Sequence, residues 1–133
     1  MKDEYVKFGI AKLLKEKGFN IPPDTSYEVC LWQMYDEDGK VQWGVYNSDW
    51  YFRITQQMAC DWLTEERNIY ITAVPDIGNS LRFYPAIYII RGEIPDEYWF
   101  EHINSIVEGL NKSYDKPQQA IEAALEYVLT NLI

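Results

Sequence analysis

Apolar side chains recur along this chain at two spacings, one that a helix gathers onto a single face and one that a strand does. Val6, Ile10, Leu13 and Leu14 follow the helical spacing, which predicts a helix over residues 3–17 with Gly18 at its end. A second helix is expected over residues 55–67, where Thr55 can cap the first turn and Met58, Ala59, Trp62 and Leu63 form the stripe. The clearest stripe is the last: Ile121, Ala124, Leu125, Val128, Leu129 and Leu132 line one face of a helix that Pro117 can open.

Between the helices the period drops to two. Residues 28–35, with Cys30, Trp32 and Met34 on one face, and residues 41–46, with Val41, Trp43 and Val45, read as a hairpin closed at Asp36-Glu37-Asp38-Gly39. Residues 69–74 and 81–90 read as a second hairpin, turning through Pro75-Asp76-Ile77-Gly78-Asn79. Pro85 lacks the ladder donor, which places the long arm at a sheet edge or marks a bulge. Residues 96–110 leave two readings open, a helix with Phe100, Ile103, Val107 and Leu110 as its stripe, or a strand.

Two hairpins and three helices must share one core, so the expected architecture is α+β, in the order helix-hairpin-helix-hairpin-helix. The expected sheet has four mainly antiparallel strands with the helices packed on one face. A chain of 133 residues can bury such a core without staples, so residues 1–133 are expected to form a single domain.

Composition excludes more than it assigns. Twelve Lys and Arg against twenty-one Asp and Glu give a net charge of −9, which repels phosphate backbones and anionic membrane surfaces, so neither nucleic acid nor membrane is an expected partner. The start has no apolar run of signal-peptide length and no stretch has the length of a membrane span, so the cytoplasm is the expected location. Cys30 and Cys60 lack metal-ligand spacing and read as buried thiols in a reducing compartment.

No catalytic signature is present. His102 is the only histidine, no nucleophile motif surrounds either cysteine, and there is no phosphate-cradling Gly-rich loop, so no catalytic residue, metal or cofactor is assigned. Asp36, Glu37 and Asp38 resemble the opening of a calcium loop, but Gly39 comes too early and the closing Glu is missing, which favours a solvated turn.

Two constellations remain. Tyr46, Tyr70, Tyr84 and Tyr88 fall opposite the strongest aliphatic alternation, with Tyr35 near a strand end, and rigid aromatics with a hydroxyl suit a docking face for a protein or a flat ligand. Tyrosine also fits a half-solvated sheet with no partner at all. The other constellation is Trp99, Phe100 and His102, which would line a pocket beside the 96–110 segment and serve a small enzyme or ligand binder. A homodimer through the Pro85 arm is a further expectation.

The strings TQQMACDWL at residues 55–63, running into Asn68-Ile69-Tyr70-Ile71, AIEAALEYVL at residues 120–129 and AKLLKEKGF at residues 11–19 resemble small uncharacterised proteins of prophages and mobile elements of gut bacteria. That resemblance implies a mobile-element accessory protein that binds a protein partner, and it carries no catalytic residues.

Overall fold

The computed structural model describes residues 4–19, 33–44, 46–78, 80–103 and 112–133. Cys30 and Trp32, the residues 28–32 expected as the start of the first hairpin, Val45, and residues 104–110 of the undecided segment lie outside these.

The chain is α+β, with three α-helices and two separate three-stranded antiparallel sheets among the described residues. Helix α1 (Phe8–Glu16) is shorter than the stripe suggests. Residues before it are extended because Val6 N–H donates to the Ile54 carbonyl at 2.9 Å and the Glu4 carbonyl accepts from Gln56 N–H at 2.8 Å. Backbone pairing with a distant segment thus satisfies groups that another helical turn would have used. At the far end Gly18 takes φ +99°, and Phe19 N–H returns to the Leu14 carbonyl at 2.9 Å.

The first sheet has the order β2-β1-β3, with β1 (Gln33–Tyr35), β2 (Val41–Trp43) and β3 (Tyr51–Phe52). Asp36 organises the loop from β1 to β2: one carboxylate oxygen accepts from the Asp38 and Lys40 N–H groups, and the other accepts from the Gln42 side chain, all at 2.9 Å. The Gln42 hydrogen bond, with the two backbone donors, holds the Asp36 carboxyl below its usual range against the opposing effect of burial. This carboxylate is a turn organiser, and Gly39 at φ +84° completes the turn beneath the Phe8 ring.

Thr55 caps helix α2 (Gln56–Arg67), its hydroxyl accepting from Met58 N–H at 3.2 Å. Asn68, at φ 57°, turns the chain straight from α2 into the second sheet. That sheet has the order β4-β5-β6, with β4 (Ile69–Ile77), β5 (Leu81–Arg91) and β6 (Trp99–Ile103). Residues 99–103 are therefore strand. Helix α3 (Pro117–Tyr127), opened by Pro117 in its first turn, packs across β4 and β5 and continues into a π-helical turn, Val128–Leu132.

The expected four-stranded sheet and helix-hairpin-helix order are overturned. Each hairpin recruits a third strand of its own: β3 pairs with β1, and β6 pairs with β5. Both β1 and β5 then have neighbours on two sides, and among the described residues the two hairpins form no common ladder. Pro85 consequently sits in the strand that pairs with both β4 and β6, rather than in an edge strand. Among the described residues the β6 pairing reaches Ile87 and the next contact on that side is the bridge from Phe83 to Tyr114, so no described ladder partner needs an N–H from Pro85.

One contiguous core joins the layers. Val6, Ile10 and Leu14 from the first helical segment meet Tyr35 and Ile54, then Ile69, Ile71 and Ile87 of the second sheet and Leu125, Val128 and Leu129 of the last helix.

Candidate functional site

The register of β4, β5 and β6 decides which face meets solvent. Ile69 stands opposite Ile89 and Ile71 opposite Ile87, with Ile87 opposite Ile103, and these side chains lie beneath α3. The alternate rungs turn the other way. Tyr70 stands opposite Tyr88, and Tyr88 opposite His102, while Phe100 stands opposite Ile90 on the same outer face.

The result is one aromatic row across three strands. The rings of Tyr88 and His102 stack at 4.7 Å with 17° between their planes, Tyr70 lies 6.4 Å from Tyr88, and Phe100 meets Tyr88 edge-on at 6.0 Å. Tyr70 is 48% exposed and Phe100 is 65% exposed. The two sets of residues expected to serve separate sites, Tyr70 with Tyr88 and Phe100 with His102, thus belong to one surface.

The remaining candidates fall elsewhere. Tyr84 shares the outer face but sits two rungs away beyond buried Ala86, and is half-buried. Tyr46 belongs to the other sheet, where its ring stacks on Phe52 at 6.0 Å. Trp99 stands opposite Arg91 and projects to the opposite face from Phe100, so the three residues expected to line one pocket do not converge. Tyr35 is buried, and its hydroxyl donates to the Val6 carbonyl at 2.5 Å.

Ring orientation limits what the row can bind. Tyr88 has the His102 ring stacked on one face and the tilted Tyr70 ring beside it, since β6 and β4 flank β5. Tyr70, Phe100 and His102 are the members of the row that meet solvent most. A stacking platform for bases needs open faces and a basic surround. Here the two nearby guanidiniums are already engaged: Arg91 pairs with Glu101 at 2.6 Å, and Arg82 with Asp115 and the Ser113 carbonyl. Hydrogen-bonding tips on rigid aromatic bodies are instead the chemistry of protein contacts.

A cleft of about 480 Å³ runs along the outer edge of β4, between α2 and α3, past Cys60, Asp61, Thr64, Ile71 and Gln118. Burial, reinforced by the neighbouring Asp61 charge, pushes the Cys60 thiol up to about 12. A thiol so protonated is a poor nucleophile at neutral pH. Across α3, burial raises the Glu122 carboxyl, opposed by the hydrogen bond it accepts from Gln56 at 3.2 Å and by Lys7. Gln56 is buried, and its amide also donates to the Gln118 carbonyl at 3.0 Å, tying α2 to α3. Sequence reading missed this polar tie because Gln56 looks like any first-turn residue.

Among the described residues no three His, Cys, Asp or Glu side chains are grouped to hold a metal, and no helix is long and apolar enough to cross a membrane. Compared with protein-family models, with curated proteins and with solved structures, the chain has no match.

Proposed function

We propose that this chain is a non-enzymatic binding protein that docks a protein partner on the outer face of the β4-β5-β6 sheet. The observation that carries the reading is the row of exposed Tyr70, Phe100 and His102 around half-buried Tyr88 on the face opposite α3. Large apolar side chains left in solvent add nothing to folding, and clustered on one face they favour a contact surface. The engaged Arg82 and Arg91, and a net charge of −9, argue for protein over nucleic acid. The resemblance at residues 55–63 and 120–129 supports a cytoplasmic accessory role in a mobile element.

The test is a triple substitution, Tyr70→Ala, Phe100→Ala and His102→Ala, chosen because all three side chains are exposed. The variant is expected to keep its thermal midpoint and to lose the proteins that co-purify with the unaltered chain from its native host, identified by mass spectrometry. An unchanged set of co-purifying proteins would sink the reading.

A further inference from the structure

The expected apolar face of β2 does not turn inward. Val41 is half in solvent and Trp43 is 68% exposed, while Gln42 between them is half-buried and bonded to Asp36. Trp43 instead forms one wall of a pocket of about 320 Å³, with Tyr5, Met58 and Gln33 around it and the Arg53 side chain within. The pocket lies on the first sheet, away from the aromatic row.

Arg53 is held rather than free to wander. Its guanidinium lies 4.1 Å over the Tyr5 ring, it donates to the Gln33 side-chain oxygen, and its backbone N–H donates to the Gln33 carbonyl at 3.0 Å. Among the described residues no carboxylate pairs with it or lines the pocket. In a chain with twenty-one acidic residues, a half-buried guanidinium whose side-chain hydrogen-bond partner among the described residues is a neutral oxygen is conspicuous. The pocket also reaches Thr55 and Met58, the cap and third residue of α2, whose first turn holds no acidic side chain. The positive end of that helix therefore adds to the charge of Arg53.

We propose that this pocket binds a small organic monocarboxylate with an aromatic or branched apolar body. The carboxylate meets Arg53, and the apolar body lies between Trp43, Tyr5 and Met58. The charge of the whole chain selects within the anions: each added negative charge on a ligand meets the repulsion of −9, whereas one carboxylate is matched by one guanidinium. The volume suits a free molecule of a dozen or so heavy atoms.

The test uses phenylacetate, phenylacetamide and phenethylamine, titrated into labelled full-length protein while the Trp43 indole and Arg53 side-chain signals are followed by NMR. Phenylacetate is expected to shift both signals saturably, with the amide at least about tenfold weaker, the scale of one charge-assisted hydrogen bond, and the amine silent. Arg53→Gln is expected to abolish the preference for acid over amide. Trp43→Ala, at an exposed position where folding is not at stake, is expected to weaken acid and amide alike. Equal binding of acid and amide, retention of the preference in Arg53→Gln, or binding of pyrophosphate or a carboxylate-terminated tripeptide but not phenylacetate would each overturn the proposal.

Discussion

At the scale of single residues, Cys60 shows how packing sets reactivity. Packed in α2 with Asp61 beside it, the thiol is raised from the ordinary 9.0 to about 12. Thiolate, not thiol, is the nucleophile, so at pH 8 its population falls about a thousandfold below that of a free cysteine. In a Cys30→Ser background, iodoacetamide is expected to alkylate Cys60 at that reduced rate, and a rate within tenfold of free cysteine would contradict the burial argument. The linked effect on stability has a definite sign. A folded-state value above the unfolded one means that the neutral thiol's contribution is complete below pH 9 and lost as pH climbs from there toward 12.

At the scale of elements, the edges of the second sheet carry the next consequence. Ile90 N–H donates to the Asn68 carbonyl, so by alternation Tyr70, Thr72, Val74 and Asp76 point their backbone groups at β5, and Ile71, Ala73 and Ile77 point theirs outward. Pro75 interrupts that outward row where it has no N–H to offer, and an interrupted edge resists pairing with another chain. Pro75→Val is therefore expected to raise self-association, measured by light scattering on a sizing column. A variant that stays as dispersed as the parent would mean that the proline protects nothing. Sequence reading took Pro75 as part of a turn and Pro85 as the mark of an edge or a bulge, because a proline reports a missing donor but not which neighbour is missing. The helices were legible for the opposite reason: the stripes of Leu14, Leu63 and Leu125, and the Thr55 cap, are local signals that burial then obeyed. The third strands were not legible. Tyr51–Phe52 is too short to alternate, and the aromatics at 99–103 satisfy both periods, so only pairing with β1 and β5 decides them. Likewise Tyr70 and Tyr88 were readable as one face, whereas their union with Phe100 and His102 depends on the β5-β6 register, which no local pattern encodes.

At the scale of the whole molecule, the question is whether two sheets without a common ladder behave as one cooperative body. The core says that they do, because Leu14 in α1 belongs to the same buried cluster as Tyr35 of the first sheet, Ile54 just after β3, and Ile69, Ile87, Leu125 and Leu129 of the second sheet and last helical segment. Helix α1 also touches β3 on one side and the π-helical turn after α3 on the other. Truncating Leu14, 1% exposed, to Ala leaves a cavity at that junction and is expected to cost about 2–5 kcal/mol. That is a large part of the 5–15 kcal/mol typical of a folded domain. If the core is one unit, the loss appears equally in both sheets, since neither can open without exposing the shared cluster. Hydrogen exchange distinguishes the alternatives through the slow amides of β1 and β2 on one side and of β4 and β5 on the other. Equal loss of protection in Leu14→Ala, with a single unfolding transition, is the expected outcome. Loss confined to the first sheet would show that α1 serves that sheet alone, and that the apolar contact between the halves contributes less than its burial implies.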